Sequence, residues 1–482
     1  MQMEIKKGKW KKKFSEWFSD IISEAEILDY RYPLKGCGVW QPYGFQIRKN
    51  TLKIIRDLLD ETGHNETLFP LLIPDNIFAK EAIHVKGFED EVYWITHGGR
   101  TELDVKLALR PTSETAMYPM FAKWIRSHAD LPLKVYQAVS VFRYETKATK
   151  PLIRVREITT FKEAHTAHAS WEDAERQVKE GVDVYSRFFE QLDIPFIITK
   201  RPEWDKFPGA VYTLAFDTIT PDRRSLQIGT VHNLGQTFAK TFEIEFETKD
   251  GGRDFAYQTC FGISERTIAA LIAVHGDDTG LRLPPSIAPT QIIIIPITFK
   301  GKEVEVKDVS KDVYKWLKTA GFRIKIDDSD LKPGKKFYKW EMKGVPLRIE
   351  IGPKDVEKKQ ITYARRDTLE KGTIPISASL FEDVKKLLDQ IQENMALIAE
   401  KNFSELVCAA KDVNDAKKLL ESDMGMVQIS WCGEKECALE LEEKTGVGVL
   451  GTPIDEKWKI KGKKCPICDK KGIETLILGK AY

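Results

Sequence analysis

Residues 140–168 read SVFRYETKATKPLIRVREITTFKEAHTAH. In the first part Arg143 and Glu145 alternate with aromatic residues, which is the period of a half-buried strand. A polar loop at 146–151 then reverses the chain, and the return strand carries Arg154. The predicted hairpin therefore brings two arginines and a glutamate together, as a site for an anion requires. The alternative is a cross-strand salt bridge on a solvated sheet face.

The FRxE strand, the polar loop and the second strand, which runs into an aromatic residue and a histidine, resemble motif 2 of the class II aminoacyl-tRNA synthetases. The run TTFKEAHTAH is similar to the prolyl-tRNA synthetase family. The resemblance implies that Arg143 is the catalytic residue, between the amino-acid carboxylate and the ATP α-phosphate. It also implies that Glu145 lies on the adenine side of the ATP site and that Arg154 lies near the triphosphate. The amino-acid pocket would be formed by Phe161, Glu163 and His165. Ile158 stands where many relatives have an aromatic residue at the adenine.

A second motif, ALRPTSETAMYP, spans residues 108–119. Taken alone, a T/S-x-E cluster before a helix is typical of an N-cap with a capping-box acid. RPTSE also matches the loop in which the prolyl family holds the substrate imino group, which implies that Thr112 and Glu114 bind proline. A secondary ammonium has two N–H donors, and these two side chains would supply two acceptors.

The segment 201–240 reads as strand, turn, strand and loop. By resemblance Gln227 and Thr230 lie at ATP, while Phe207 and His232 line the proline site. A lone histidine is more often a structural residue, so the assignment of His232 depends on the family match.

A third motif, FGISERTIAALIAVH at 261–275, is predicted to be a strand that leads through a glycine into a helix. A helix N-terminus with a nearby arginine favours phosphate binding. The segment resembles motif 3, which implies that Ser264 and Arg266 bind ATP, with Arg266 on the γ-phosphate. The alternative for Arg266 is a surface ion pair with Glu265.

An amphipathic helix is predicted over Phe45–Glu61, after a break at Gly36–Gly44, and a strand over Glu66–Pro74. Pro70 inside this apolar run favours a sheet edge or an interface. The pair resembles motif 1, the dimer element of class II synthetases, and implies a homodimer. Packing of the helix and strand within one subunit is the alternative.

Beyond a Pro-rich linker at 281–291 the pattern changes to alternating strands and helices, which predicts a small α/β domain with a mixed sheet. In the prolyl family this domain binds the anticodon of tRNA(Pro). Four residues match positions near its two guanines: Glu341, Arg348, Lys354 and Asp355. Arg and Lys suit guanine O6 and N7, and carboxylates suit N1 and N2 hydrogens. Caps and turns are the alternative for these four residues.

The last part of the chain contains two close cysteine pairs, Cys432 with Cys437 and Cys465 with Cys468. This spacing is a strong signal for zinc, and four thiolates close the metal to water, which predicts a structural Zn²⁺ site. The three remaining cysteines are expected to be buried: Cys37, Cys260 and Cys408.

Composition sets the outer bounds. The 482 residues carry a net charge of +2, so only local basic runs such as Lys6–Lys13 and Lys457–Lys471 favour nucleic acid. The first residues lack a signal-peptide core and no apolar run approaches a membrane span, which predicts a cytoplasmic protein without membrane contact.

Together these observations predict an α+β catalytic domain at 1–286, an antiparallel sheet flanked by helices in the class II synthetase fold. An α/β anticodon-binding domain at 287–398 and a small zinc-containing α+β domain at 399–482 follow. The resemblance implies ATP, Mg²⁺ and L-proline as reactants, prolyl-adenylate as intermediate and tRNA(Pro) as acceptor. It also implies the archaeal and eukaryotic-like type, because the short stretch between His165 and His232 has no room for the editing insertion. The chain would then end in a tyrosine, Tyr482, that approaches the active site.

Two alternatives stay open: a sister synthetase for threonine, glycine or histidine, and a non-catalytic relative that binds RNA or a protein partner. The RPTSE and TFKEAH residues argue against the first. Arg143, Arg154 and Arg266, which such relatives usually lose, argue against the second.

Overall fold

A long β-sheet carries most of the candidate site described below. The structure is a computed structural model that describes residues 9–82, 89–460 and 462–482. The start of the basic run Lys6–Lys13 lies outside the described residues. Among the described helices, none is long and apolar enough to cross a membrane.

The N-terminal part contains eight helices among the described residues: α1 Lys9–Lys12, α2 Phe14–Glu24, α3 Pro42–Glu61, α4 Asp75–Ala82, α5 Glu114–Trp124, α6 Trp171–Gln191, α7 Thr237–Phe242 and α8 Arg266–His275. Its strands are β1 Leu28–Asp29, β2 Val39–Trp40, β3 Asn65–Glu66, β4 Leu72–Pro74, β5 Trp94–Gly98, β6 Thr101–Leu109, β7 Leu133–Phe142, β8 Glu157–His168, β9 Ile197–Lys200, β10 Tyr212–Ile219, β11 Arg224–Gly235, β12 Glu245–Glu247, β13 Arg253–Phe255 and β14 Tyr257–Ile263.

The central strands of this part form an antiparallel sheet in the order β9-β10-β11-β14-β8-β7, with the short β3 added in parallel at the edge. Helices α3, α6 and α8 pack on one face around a large apolar core. The predicted antiparallel sheet flanked by helices is confirmed.

Three local predictions need correction. The hairpin strands are shorter than predicted, because β7 ends at Phe142 and β8 begins only at Glu157, so residues 143–156 form a long loop. The strand predicted over Glu66–Pro74 divides into β3 and β4, which belong to different sheets. The predicted break at Gly36–Gly44 ends earlier, since α3 already begins at Pro42. Gly44 lies inside that helix, where a Cβ would be 2.3 Å from the carbonyl oxygen of Ile27.

The predicted α/β unit follows. It contains α9 Glu303–Thr319, α10 Pro333–Met342, α11 Pro353–Glu357 and α12 Leu380–Ser404, with strands β15 Ile292–Pro296, β16 Ile324–Ile326, β17 Leu347–Ile351, β18 Gln360–Arg365 and β19 Lys371–Pro375. The sheet order is β16-β15-β17-β18-β19. The first three strands are parallel to one another, whereas β18 is antiparallel to both of its neighbours, β17 and β19, so the predicted mixed sheet is confirmed. Helix α12 runs across the predicted boundary at 398.

The C-terminal part consists of β20 Val407–Ala409, α13 Val413–Glu421, β21 Met426–Trp431, α14 Lys435–Thr445, β22 Gly448–Pro453 and β23 Glu474–Ala481. Its strands do not form a detached sheet. Strand β22 pairs with β9 and β23 pairs with the start of β11, which extends the central sheet to eleven strands. The C-terminal part is therefore joined to the sheet that carries the candidate site.

Candidate active site

An open cleft of about 510 Å³ lies over the central sheet. The loop 143–156 covers one side, and strands β8, β10, β11 and β14 form the floor. Thirteen of the predicted site residues line this one cleft: Thr112, Glu114, Arg143, Glu145, Arg154, Phe161, Glu163, Phe207, Gln227, Thr230, His232, Ser264 and Arg266. Ile158 lines it as well.

Strand register explains why residues distant in sequence meet here. His165 on β8 pairs with Cys260 on β14, which pairs with His232 on β11, which pairs with Thr213 on β10. Paired residues of neighbouring strands project from the same sheet face. Two residues before His165 on β8, Glu163 pairs with Gly262. Because glycine has no side chain, there is room above the sheet at this position.

A hydrogen-bonded carboxylate cluster closes one end of the cleft. Thr112 Oγ1 lies 2.5 Å from Glu114 Oε2 and 2.9 Å from Glu163 Oε1. The Ser113 hydroxyl bonds the other oxygen of Glu163 and accepts a hydrogen bond from Gln137 Nε2 at 2.9 Å. Burial and then the charge of the neighbouring Glu163 together raise the pKa of Glu114 to about 7. The capping-box alternative is wrong for this loop, because Ser113 is the N-cap residue of α5 but does not cap the helix with its side chain.

Ser113 and Gln137 were not among the predicted site residues. Gln137 lies directly opposite Glu163 on β7. A glutamine inside the apolar run of that strand was the available signal, since a buried amide requires a partner.

His165 lies behind the cleft wall rather than in it. Tyr118 Oη lies 2.9 Å from its Nδ1, and Cys260 Sγ lies 3.6 Å from its Nε2. Burial lowers the pKa of His165 to about 3 and raises that of Cys260 well above its usual value. His165 and Cys260 are therefore both uncharged and hydrogen-bonded to each other, and Cys260 is the one of the two that lines the cleft.

His232 and Phe207 line the same end of the cleft. Their rings are 4.9 Å apart, and His232 Nδ1 lies 2.9 Å from Thr213 Oγ1. Burial lowers the pKa of His232 to about 3, so the imidazole is neutral at physiological pH. These uncharged rings offer apolar surface without repelling a cation.

Three arginines converge at the other end of the cleft. Arg143 donates from Nε to Pro111 O at 3.1 Å and stacks its guanidinium 5.4 Å from the Phe161 ring centre. Arg266, the first residue of α8, donates from Nε to Ile153 O at 2.9 Å. Burial, followed by the charges of Arg143 and Arg154, lowers the pKa of Arg266 to about 10. The charges of these arginines repel one another, and an anion bound between them would relieve that repulsion.

The alternative pairing of Arg266 with Glu265 is wrong. Glu265 instead accepts hydrogen bonds from the backbone and hydroxyl of Thr159. Glu145 lies 3.6 Å from Arg154, so the predicted cross-strand salt bridge also forms, though from the loop rather than from paired strands.

A buried ion pair supports the floor of the cleft. Arg201 donates to Asp217 at 2.9 Å and to the side-chain oxygen of Gln227 at 3.0 Å. It also bonds the carbonyl of Leu450, in the C-terminal part of the chain. Neither Arg201 nor Asp217 was predicted, because the partners lie on separate strands whose pairing the sequence does not state.

The C-terminal tyrosine lies against the loop of the hairpin. Lys150 Nζ is 3.0 Å from Tyr482 Oη and 4.4 Å from its ring centre, while Tyr482 Oη donates to Asp222 at 2.7 Å. The end of the chain therefore touches the segment that carries Arg143 and Arg154.

The four predicted metal ligands come together. The Sγ atoms of Cys432, Cys437, Cys465 and Cys468 all lie within 4.8 Å of one another. Burial opposes ionisation of Cys465, but backbone N–H groups, first those of Cys468 and Ile467, outweigh it and lower the pKa of this thiol to about 7. The other cysteines differ: Cys37 and Cys260 are buried as predicted, while Cys408 is only partly buried.

Of the four residues predicted at the anticodon, Glu341 lies on α10 and Arg348 near the start of β17, while Lys354 and Asp355 lie on α11, which follows the end of that strand. Arg348 donates to Glu341 at 2.5 Å and to Glu350 at 3.0 Å, and its guanidinium stacks 4.0 Å from the Phe337 ring centre. Asp355 caps α11 by accepting from Gly352 N, as the cap alternative stated. Lys354 is exposed.

Three family models cover most of the chain. The one described as tRNA synthetase class II core domain (G, H, P, S and T) matches residues 93–275. Those described as anticodon binding domain and as prolyl-tRNA synthetase, C-terminal, match residues 291–387 and 413–482.

Curated relatives match along nearly the full length. The proline–tRNA ligase of Methanocaldococcus jannaschii is 58% identical over 91% of this chain and 96% of its own. That of Sulfurisphaera tokodaii is 53% identical over 100% of both. The solved structure of the Giardia lamblia prolyl-tRNA synthetase in complex with prolyl-adenylate superposes with a TM-score of 0.94 at 36% identity, over 98% of this chain and 99% of that one.

Proposed function

The chain belongs to the prolyl-tRNA synthetase family of class II, and on this basis we propose how its own residues carry the reaction. The protein is a proline–tRNA ligase. It uses ATP to form prolyl-adenylate and then transfers the prolyl group to the 3′-terminal adenosine of tRNA. The observation that carries our assignment is the cleft itself, which has buried carboxylates at one end and three converging arginines at the other.

The carboxylate end is the proline pocket. Thr112 and Glu114 accept the two N–H groups of the secondary ammonium, and Glu163 fixes Thr112. Phe161, Phe207 and His232 enclose the ring, while His165 acts from behind by positioning Cys260.

Arg143 is the catalytic residue, because among the three arginines it is the one influenced by the charges of Glu163 and Glu114 in the proline pocket. The proline carboxylate attacks the α-phosphorus in line, so negative charge develops on the phosphate oxygens while pyrophosphate leaves. A guanidinium already held by Pro111 O and Phe161 stabilises that charge with little reorganisation. No protein nucleophile is required.

The arginine end binds ATP. Arg154 and Arg266 neutralise the triphosphate, and Ser264 lies at the start of α8, where free N–H groups favour phosphate. Glu145, Gln227 and Thr230 complete the nucleotide site. Mg²⁺ would accompany the triphosphate and screen the leaving pyrophosphate; the carboxyl groups that line the cleft beside the arginines, those of Glu145 and Glu265, are of the type that a hard cation prefers.

We further propose that residues 1–286 form the catalytic domain and residues 287–398 the anticodon-binding domain. Residues 399–482 form the zinc-binding domain. Glu341 and Arg348 already form a planar ion pair beside an aromatic ring, the type of surface that binds unstacked bases. Lys354 and Asp355 complete this assignment, with Lys354 available to a phosphate or a guanine.

The four-cysteine cluster fits structural Zn²⁺. Sulfur atoms within 4.8 Å of one another suit a tetrahedral site with Zn–S bonds of about 2.3 Å. The set consists of thiolates alone, which leaves the metal a structural role.

A homodimer and a cytoplasmic location complete the proposal. Leu68, Leu71 and Leu72 are exposed, Leu68 by 83%, at the sheet edge where the dimer element was predicted. A partner subunit would cover this apolar surface. None of the seven cysteines, all of which lie in the described part of the chain, forms a disulfide, which suits a reducing compartment.

The assignment of Arg143 can be tested with Arg143→Ala and Arg156→Ala. Arg156 is a matched control, because it lies on the same loop but stacks on Tyr144 outside the cleft lining. In single-turnover formation of prolyl-adenylate we expect Arg143→Ala to lose about 10³-fold and Arg156→Ala less than about tenfold. Equal rates for the two variants would refute the assignment.

A further inference from the structure

The carboxylate cluster of the proline pocket contains more acceptors than protons unless one carboxyl is protonated. Thr112 Oγ1 is within hydrogen-bond distance of both Glu114 Oε2 and Glu163 Oε1, at 2.5 and 2.9 Å. A hydroxyl has one proton and can donate to only one of them. Two ionised carboxylates would therefore leave one short oxygen–oxygen contact without a hydrogen atom.

The remaining contacts decide which carboxyl carries the extra proton. Gln137 accepts from Phe69 N through Oε1, so its Nε2 donates to Ser113 Oγ. Ser113 then donates its own proton to Glu163 Oε2. If Thr112 donates to Glu163 Oε1, Glu163 accepts two hydrogen bonds as a carboxylate, and Glu114 must donate its proton to Thr112 Oγ1.

The surrounding charges favour the same assignment. Burial raises the pKa of both carboxyl groups. At Glu163 hydrogen bonds from Ser113 and Thr112, and then the charges of Arg143 and Arg110, oppose this effect, whereas at Glu114 the charge of Glu163 adds to it. Arg143 also favours ionisation of Glu114, but it acts on Glu163 as well, together with Arg110. Cys260 Sγ lies 3.9 Å from Glu114 Oε1 and keeps its proton, and His165 and His232 are neutral. Lys162 points into the opposite face, where it donates to Tyr185.

We propose that Glu114 holds a proton in the empty pocket and releases it to solvent when the secondary ammonium of proline binds. The inference rests on the proposed role of Glu114 as an acceptor for the substrate N–H. The O–H bond of the carboxyl breaks, the proton passes to water or buffer, and the resulting carboxylate pairs with the prolinium. In the empty pocket Glu114 is therefore uncharged. Because proline binding removes its proton, the affinity for proline depends on pH.

Isothermal titration of proline in buffers of different ionisation enthalpy measures the released protons. With a pKa of about 7 for Glu114, release is about 0.9 proton at pH 6 and about 0.1 at pH 8. The apparent Kd for proline is about tenfold weaker at pH 6 than at pH 8, since below that pKa binding must remove the proton. Proline binding with no released proton at pH 6 overturns the proposal and leaves the function intact.

Glu114→Gln is the matched variant, because its amide N–H replaces the carboxyl proton toward Thr112. We expect this variant to bind proline more weakly, with no released proton and no dependence on pH between 6 and 8. Glu163→Gln removes the carboxylate to which we assign the charge. Proton release that persists in Glu114→Gln would overturn the assignment.

Infrared difference spectroscopy separates this inference from the function. The empty protein should show a protonated-carboxyl C=O band that disappears in Glu114→Gln and on addition of proline. A band that persists in Glu114→Gln overturns the proposal. A protein that gives no heat with proline overturns the proposed function instead, while the band in the empty protein still decides whether Glu114 is protonated.

Discussion

Replacement of Arg266 by glutamine tests the phosphate end of the cleft. Among the described residues, the guanidinium uses Nε for Ile153 O, and its other N–H groups remain for an anion. Each charge-assisted hydrogen bond to a phosphate contributes about 1.5–3 kcal/mol. Glutamine also relieves the repulsion of Arg266 with Arg143 and Arg154 in the empty site. We therefore expect a net loss of about 3 kcal/mol, or about 10²-fold in kcat/KM for ATP.

ATP–pyrophosphate exchange at saturating proline, with ATP varied, measures this loss. Arg266→Lys keeps the positive charge but not the planar guanidinium with its paired N–H donors. We expect its kcat/KM for ATP to fall about tenfold. The KM for proline should change little, because the carboxylate cluster is at the other end. Arg253→Gln is the control, since that side chain is 70% exposed and pairs with Glu245. An unchanged kcat/KM for ATP in Arg266→Gln, or an equal loss in Arg253→Gln, would refute the reasoning.

Three further predictions concern the metal, the assembly and a buried lysine. Cys465→Ser should lose bound zinc and lower the unfolding temperature, measured by metal analysis and calorimetry; full zinc content in the variant would contradict the four-thiolate site. Leu68→Glu should convert a dimer to a monomer in light scattering, whereas a wild-type monomer would rule out the dimer. Burial lowers the pKa of Lys162 to about 7 from 10.5, so the unfolded chain binds more protons above pH 7 and stability rises with pH. Between pH 7 and 9 wild type should gain about 2 kcal/mol relative to Lys162→Met; parallel unfolding curves would disprove this.

The order of motifs and the residue types predicted most of the site. Alternation around Arg143 and the turn before Arg266 indicated which side chains face an anion, and the spacing of the cysteines indicated the metal cluster. These are local signals, because each depends on a period, a turn or a pair separated by a few residues.

What the sequence could not predict depends on strand pairing. The contacts of Glu163 with Ser113 and of Arg201 with Gln227 join different segments of the chain. Their existence follows from register, which a single strand does not specify. The family resemblance placed His165 in the pocket, whereas in the structure its strand-paired neighbour Cys260 lines the cleft and His165 does not.

The length of the hairpin was overestimated because the alternation of residues 143–145 and 153–156, on either side of the predicted loop, resembles strands. In the structure Arg143 N bonds Arg156 O, but the next residues leave the ladder, and Tyr144 N bonds Glu91 O instead. A tertiary contact thus replaces sheet pairing and opens the loop over the cleft.

ATP–pyrophosphate exchange with each of the twenty amino acids tests the central claim most directly. We predict that proline supports exchange and that alanine supports it at a lower rate, because an apolar pocket separates small side chains by only about 1–3 kcal/mol. Exchange with threonine, glycine or histidine in place of proline, or with none of the twenty, would contradict the account.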